Sequence, residues 1–259
     1  MINNIITWIK DYIGFFITIT SVIINTAFFI NKIKKYLIKH KLKSVLSITK
    51  INVHLLVSEN LDSNNNIVIT FEQACSVSYI STLFSMANKD VEIQSLSTHS
   101  ENKKDSSEIC IGGPLDNILT DNYLKSYFDK FQIFVNVDKI KKYPHAHLSN
   151  INVSSDFEGF VIKDSEFSFA VVNNEIDYFV LIKLDSGDLQ EERSVIMVFG
   201  YTRKGLLCGT RYLYNNYIKL YKQHKNQHFF IIGKCLIPSM KVDKTSIKDL
   251  TSIMFKSTQ

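Results

Sequence analysis

Two glycine-rich segments of the chain contain residue types that can bind an anion. The first reads Ile109-Cys-Ile-Gly-Gly-Pro114 and opens toward a predicted helix. Glycine allows close backbone approach or a positive φ, proline stiffens a turn, and side chains at a helix start offer hydrogen bonds. The candidate ligand-binding residues of this segment are Gly112, Gly113, Pro114, Asn117 and Thr120.

The second segment follows the apolar run Val195–Phe199 and is read as a loop, Gly200–Gly209, with three glycines. Its glycine amides could reach an anion, while a hydroxyl and two guanidinium groups would add donors. The candidate ligand-binding residues here are Gly200, Arg203, Gly205, Gly209, Thr210 and Arg211. A glycine turn can also be purely structural, and neither segment is a P-loop or a Gly-x-Gly-x-x-Gly fingerprint.

Other catalytic chemistry has weaker support in the sequence. No Gly-x-Ser-x-Gly nucleophile elbow occurs, and the histidine pairs His145/His147 and His224/His228 lack the pattern of a metalloprotease helix. We interpret the histidines as surface residues and expect neither a metal nor a cofactor. Asp156, Glu158 and Asp177 are the carboxylates that could assist glycosidic cleavage of a nucleotide.

Four cysteines without close spacing argue against a metal knuckle and against a disulfide scaffold. They are Cys75, Cys110, Cys208 and Cys235. Unpaired thiols are typical of a reducing compartment. We interpret Cys110 and Cys208 as small packing residues, with an approach of the two in space as the alternative.

The elements that would position these residues alternate between strands and helices. Helices are predicted over Phe71–Met86, Thr120–Phe128, Thr210–His224 and Lys244–Phe255. Strands are predicted over Val91–Leu96, Ile109–Ile111, Phe131–Val137, Phe160–Ile162, Phe167–Val172, Tyr178–Leu184, Val195–Phe199 and Phe229–Leu236. Val45–Val57 reads as a linker or a peripheral strand, and Ser97–Ser107 as an exposed loop.

This order predicts an α/β fold: a Rossmann-like, mainly parallel sheet covered on both faces, with a β-rich insertion between about 131 and 185. In such sheets ligands collect beyond the carboxyl ends of the strands, where helix N-termini attract phosphate. Both glycine segments would lie there. The sequence therefore predicts one site for a small anionic ligand.

An apolar stretch near the N-terminus is long enough to cross a bilayer. Tyr12–Ile30 contains 19 consecutive uncharged residues, which as a helix would match the hydrocarbon thickness of about 30 Å. We expect one transmembrane helix with a basic juxtamembrane segment over 1–43 and a ligand-sensing domain over 44–259. A cleaved signal peptide and a buried core helix are the alternatives.

The positive charge of the chain is concentrated directly after that stretch. Segment 31–50 carries seven lysines and no acidic residue, so a chain of net charge +5 leaves −2 for residues 51–259. By the positive-inside rule the lysine-rich flank stays in the cytoplasm. We expect a single-pass protein of the inner membrane with its N-terminus outside, its C-terminal domain cytoplasmic, lipid as a partner and no nucleic-acid partner.

Within the apolar stretch, small and polar residues recur on one helical stripe. They are Gly14, Thr18, Ser21 and Asn25, spaced by four, three and four residues. Such stripes let transmembrane helices pack against each other, although small residues in a membrane helix do not require a partner. We expect the stripe to support a homo-oligomer.

The two glycine segments resemble the two nucleotide loops of the SLOG superfamily, which comprises the Smf/DprA and LOG-like Rossmannoid proteins. The matching residues are Ile109-Cys-Ile-Gly-Gly-Pro114 and Val198-Phe-Gly200 leading to Gly209-Thr210. The resemblance covers about residues 70–240. The resemblance implies a nucleotide-binding Rossmannoid domain. Members include phosphoribohydrolases and noncatalytic nucleotide sensors of bacterial antiphage defence, some joined to transmembrane segments.

The hydrolase branch of that superfamily has a Pro-Gly-Gly-x-Gly-Thr-x-x-Glu loop, of which only Gly209-Thr210 matches, and Leu213 stands at the glutamate position. The resemblance thus implies binding rather than hydrolysis. We expect a membrane-anchored effector whose cytoplasmic domain binds a nucleotide-derived signal and drives helix oligomerisation and membrane disruption in antiphage defence. The alternatives are a membrane-tethered N-glycosidase or phosphoribohydrolase-like enzyme, and a noncatalytic scaffold.

Overall fold

The computed structural model describes residues 2–46, 52–57, 60–61, 67–87, 89, 91–95, 106–136, 138, 151–185, 189, 194–225 and 227–255, without the side chains of residues 2–18, 52–53, 60–61, 67–68, 95 and 106. The chain divides into two compact units, Met1–His40 and Lys41–Gln259.

The first unit lies within one long helix, α1, which runs over Ile2–Val45. Its apolar side chains are 40% to 71% exposed at Ile19, Val22, Ile23, Ile24, Phe28, Phe29, Ile30, Ile33, Tyr36 and Leu37. A search of the described residues found no helix that is both long and apolar enough for a membrane span. Because the side chains of residues 12–18 are outside the described part, the membrane helix stays a prediction.

The structure describes only part of the predicted helix-packing stripe. Gly14 and Thr18 lie in the segment of which the backbone alone is described. The amide Nδ2 of Asn25 donates to Ser21 Oγ at 3.4 Å, one helical turn away. Ser21 and Asn25 therefore lie on the same side of α1.

The second unit contains fourteen strands and four α-helices among its described residues. In chain order they are β1 Asn52–Val57, β2 Asn60–Leu61, β3 Ile67–Val68, α2 Phe71–Met86, β4 Glu92–Ser95, β5 Ser106–Ile111, α3 Ile118–Tyr127, β6 Phe131–Val135, β7 Ile151–Val153, β8 Gly159–Ile162, β9 Ser168–Ala170, β10 Ile176–Leu184, β11 Val195–Gly200, α4 Arg203–His224, β12 Phe229–Leu236, β13 Lys241–Val242, β14 Lys248–Asp249 and α5 Thr251–Met254.

The α/β class is confirmed, but the main sheet is mixed rather than mainly parallel. Its order is β13-β12-β10-β11-β5-β1-β4, with β14 also beside β12. Strands β11, β5, β1 and β4 pair in parallel, whereas β10, β12, β13 and β14 pair antiparallel. Only ten residues, 185–194, join β10 to β11. A parallel crossover needs a dozen or more, so this connection gives an antiparallel pair.

A second sheet, of order β7-β6-β8-β9, forms the predicted β-rich insertion. The insertion ends earlier than expected, because β10 belongs to the main sheet and pairs there with both β11 and β12. Seven of the nine residues of β10 are buried. A continuous buried run of this kind is typical of an interior strand.

Helices cover opposite faces of the main sheet, as neighbouring residues of β10 show. Phe179 packs against Tyr212 of α4, with ring centroids 5.2 Å apart. The next residue, Val180, joins a core cluster with Leu124 of α3 and Phe160 of β8. Because side chains alternate along a strand, α4 lies on one face and α3 with the second sheet on the other.

The predicted helix Phe71–Met86 and the predicted strand Phe229–Leu236 are confirmed at both ends. Helix α2 starts at a capping box, in which Thr70 and Gln73 exchange hydrogen bonds. The prediction for Val45–Val57 was wrong in part: α1 ends at Val45, and β1 lies inside the sheet between β5 and β4. Strand β1 buries Leu55 and Leu56 completely.

The Gly200–Gly209 loop prediction was wrong, because α4 begins at Arg203. Thr202 caps the helix and accepts a hydrogen bond from Lys204 N at 3.2 Å. Gly205 and Gly209 are therefore helical residues. Glycine is used there for close packing, since a Cβ on Gly205 would lie 2.6 Å from the carbonyl oxygen of Tyr178.

Two further predictions of local structure were wrong. Lys244–Phe255 is not one helix but a 3-10 turn over Lys244–Ser246, then β14 and the short α5. The polar segment Ser97–Ser107 ends inside β5, where Ser107 is buried and pairs with Ser194 through a hydroxyl contact of 3.2 Å. Residues 97–105 lie outside the described part.

A disulfide joins Cys208 of α4 to Cys235 of β12. The expectation of four unpaired cysteines was therefore wrong, since Cys208 is paired with Cys235, whereas Cys110 is buried and takes no part in this disulfide. The disulfide arises because α4 packs over β12, which is separated from β5 by two strands, β10 and β11. The cysteine-based argument for a reducing compartment no longer holds.

Candidate functional site

A cavity of about 440 Å³ opens where β5 and β11 end. The two strands are parallel neighbours, with Ile111 opposite Val198. Their carboxyl ends therefore reach the same edge of the sheet, and the two glycine segments that follow them meet there. A volume of this size is typical of small-molecule sites.

Glycines form the wall of the cavity at the sheet edge. Gly112 has a φ of 120°, a value that L side chains rarely adopt, and its N–H donates to Val198 O at 3.1 Å. A Cβ on Gly113 would lie 3.6 Å from the carbonyl oxygen of Gly200, an ordinary contact. Gly112 is thus required by the turn, whereas Gly113 has room for a side chain.

Gly200 is required for another reason. A Cβ built there would lie 2.3 Å from the backbone nitrogen of Leu206 and 2.5 Å from the Cα of Gly205. The first turn of α4 therefore packs directly on the end of β11. Glycine at this position brings the start of α4 to the cavity.

The start of α4 is held by a buried carboxylate. Asp177 Oδ2 accepts hydrogen bonds from Thr202 Oγ1 at 2.5 Å, Gly205 N at 2.8 Å and Thr202 N at 3.2 Å, while Oδ1 accepts from Tyr178 N at 2.6 Å. Burial raises the pKa of Asp177, and these hydrogen bonds oppose the rise. The N–H of Gly205 therefore points to a carboxylate of the protein and not to a ligand.

Two cationic side chains line the cavity from the first turn of α4. They belong to Arg203, which is partly buried, and to Lys204, which is exposed. Arginine binds carboxylate and phosphate groups through two parallel hydrogen bonds, and lysine acts as a point charge. An anion placed at this edge would therefore contact side chains more than helix amides.

The inner surface of the cavity is apolar. It is formed by Ile133 and Val135 of β6, Phe160 of β8, Phe199 of β11 and Leu206 of α4. The ring of Phe160 lies 6.2 Å from that of Phe199 in an edge contact, and such aromatic contacts are favourable. The cavity can therefore take an apolar or planar group at its inner end.

Polar groups complete the wall. Glu72 comes from the first turn of α2, Asp116 from the turn after β5, and Tyr201 and Thr202 from the end of β11. Burial, followed by the Glu158 carboxylate, raises the pKa of Tyr201 far above its usual value. The phenol is neutral at physiological pH, as an unperturbed tyrosine also would be, and it lies beside the Glu158 carboxylate.

Five of the predicted ligand-binding residues line the cavity: Gly112, Gly113, Pro114, Gly200 and Arg203. Asn117 and Thr120 instead support the first turn from behind. Asn117 caps α3 by accepting from Leu119 N and Thr120 N, both at 3.1 Å. Thr120 donates its hydroxyl proton to Gly112 O at 3.0 Å.

The other four predicted residues do not line the cavity, because they lie inside α4, beyond its first residues. Gly205 contacts Asp177, and a Cβ on Gly209 would meet Phe179 at 3.0 Å. Thr210 is fully buried and donates to Leu207 O at 3.0 Å. Arg211 Nη1 donates to Met240 O at 3.2 Å.

Sequence reasoning missed most of the polar and all of the apolar lining. Lys204 could have been found, since it adjoins Arg203 beside a threonine that is a good helix cap. Asp116 lies in the predicted first segment, between Pro114 and Asn117, whereas Glu72 reaches the cavity through the packing of α2. No local pattern marks Ile133, Val135 and Phe160 as more than core residues.

Two of the carboxylates considered for hydrolysis lie behind the cavity wall, where Glu158 contacts Tyr201 and Asp177 accepts a hydrogen bond from Thr202. Asp156, Glu158 and Asp177 are all described, and none of them lines the cavity. Among the described residues, no group of three histidine, cysteine, aspartate or glutamate side chains could hold a metal ion.

Comparison with protein-family models, curated proteins and solved structures finds no match to this chain.

Proposed function

We propose that the cavity binds a small anionic, nucleotide-derived ligand, and that the chain is a membrane-anchored sensor of the kind its SLOG-like glycine segments suggest. The observation that carries the proposal is the meeting of both glycine turns at one cavity, which has cationic side chains at the start of α4 and an apolar inner surface. A phosphate would fit the cationic side chains, and a planar base would fit the apolar inner surface.

Binding would act on the membrane part by population shift. The ligand must favour the assembled state through a difference in affinity between the assembled and the separate chains. The stripe of Gly14, Thr18, Ser21 and Asn25 would then mate the helices of a homo-oligomer. In this proposal the output is membrane disruption during antiphage defence.

The binding part is tested by calorimetry of the full chain in detergent against a panel of linear and cyclic nucleotides. Because Gly113 has room for a Cβ, Gly113→Ala should leave affinity within about threefold, whereas Gly113→Glu should place a carboxylate in the cavity and weaken binding at least a hundredfold. Equal binding by Gly113→Glu and the parent chain would exclude this site. Thr210→Glu is unsuitable, because Thr210 is fully buried away from the cavity.

A further inference from the structure

The cavity changes from apolar to charged between its inner and outer parts. The inner side chains Ile133, Val135, Phe160 and Phe199 are each at most 4% exposed, so only a small part of their surface faces the cavity. Lys204 is exposed, and Arg203 is partly buried. A ligand bound here would lose water at one end and keep much of it at the other, so the two ends of the ligand must differ in polarity.

Most of the inner surface comes from the second sheet. Ile133 of β6 and Phe160 of β8 stand opposite each other in an antiparallel pair, so their side chains share one face. The ring of Phe160 is held by Phe131 at 5.3 Å and by Tyr201 at 5.9 Å between centroids. This surface is therefore fixed before a ligand arrives, which lowers the entropic cost of binding.

We propose, on the basis of the function proposed above, that the second sheet selects the ring of the ligand. The heterocyclic base lies inside against Ile133, Val135 and Phe160, and the phosphate lies outside at Arg203 and Lys204. The ligand class is then a nucleotide with a phosphate at the end opposite its base. The first turn of α4 supplies the anion end, and the insertion supplies specificity.

The test compares ligands that share one end only. Full-length protein in detergent is titrated with AMP, GMP and UMP, with ribose 5-phosphate, which lacks a base, and with adenosine, which lacks the phosphate. We expect at least one nucleoside monophosphate to bind ten times more tightly than ribose 5-phosphate. Added salt should weaken nucleotide binding and leave adenosine binding unchanged. Equal affinity for ribose 5-phosphate and all three nucleotides would overturn the inference.

A matched pair of variants separates contact with the base from loosening of the core. Phe160→Leu and Phe128→Leu each shorten a core phenylalanine that is 1% exposed, but only Phe160 lines the cavity, and the ring of Phe128 contacts those of Phe230 and Phe255. We expect similar falls in Tm, with nucleotide affinity reduced at least fivefold by Phe160→Leu and less than twofold by Phe128→Leu. Equal losses of affinity in both variants would contradict a base contact at Phe160.

The outcomes distinguish this inference from the proposed function. If no nucleotide binds, the proposed function fails and the inference fails with it. A different set of results would contradict the inference alone: nucleotides bind, Gly113→Glu abolishes that binding, and affinity does not depend on the base. The proposed function would then survive, and only the base-selecting role of the second sheet would be lost.

Discussion

At the residue scale, the cavity depends on side chains that never touch it. The carboxylate of Asp177 joins β10 to the first turn of α4 by accepting four hydrogen bonds, three on Oδ2 and one on Oδ1. This fixes the position of Thr202, and with it the start of the helix that carries Arg203 and Lys204. A buried acceptor can hold a cationic turn in place without binding the ligand.

Replacing Asp177 by asparagine should destabilise the protein. Both carboxylate oxygens accept hydrogen bonds, so the amide NH2 of asparagine would face an N–H or O–H donor in either orientation. We expect Asp177→Asn to lower the free energy of unfolding by about 1–3 kcal/mol in urea denaturation. Asp129→Asn, at an exposed position, is the matched control and should change it by less than about 0.5 kcal/mol. Equal stability of the two variants would contradict the anchoring role of Asp177.

At the scale of elements, α4 lies close on the main sheet because glycines replace side chains along the contact. Gly200 admits the first turn of α4, and Gly205 and Gly209 admit the backbone of Tyr178 and the side chain of Phe179. The sequence placed these glycines in a loop. In the structure two of them lie in the helix, and the close packing between helix and strand determines where the cavity opens.

Adding one methyl group should distinguish the two glycine turns. In Gly200→Ala the new Cβ would overlap the backbone of Leu206 and Gly205, so α4 must move. We expect a loss of about 1–3 kcal/mol in the free energy of unfolding. Gly113→Ala makes the same chemical change where the nearest atom is 3.6 Å away, and it should stay within about 0.5 kcal/mol of the parent. Thermal and urea unfolding measure both, and a reversed order would contradict the packing described.

At the scale of the whole molecule, charge and hydropathy are distributed unevenly. Seven lysines follow the uncharged stretch Tyr12–Ile30, and α1 exposes a run of large apolar side chains over the described part of that stretch. Such an exposed apolar surface is unfavourable in water. The membrane anchor in our proposal would bury it in lipid.

The anchor is tested in the full chain by carbonate extraction of membranes. We expect the parent chain in the membrane pellet. The double variant Ile23→Lys with Ile24→Lys should move to the supernatant, because each lysine near a helix centre costs about 2.5–3.5 kcal/mol on insertion. Tyr36→Lys adds a charge at an equally exposed position inside the lysine-rich segment and should leave the pellet fraction unchanged. A parent chain found wholly in the supernatant would refute the anchor.

The sequence by itself determined which segments form most of the strands and helices, because apolar periodicity and capping residues act locally. It indicated α2 and β12 with their bounds and placed both glycine turns after buried strands. It also located the two turns that meet at the cavity, since parallel strands end at a common edge. Five of its eleven ligand-binding candidates line that cavity.

Only the tertiary structure decided the rest, because strand direction and cavity walls depend on contacts between residues far apart in the chain. The pairing of β10 with β11 and β12 made the main sheet mixed. The start of α4 at Arg203 placed Gly209, Thr210 and Arg211 outside the lining of the cavity. The packing of β6 and β8 beside β11 built the apolar inner surface, since alternation along a strand marks a side chain as buried without naming what it faces.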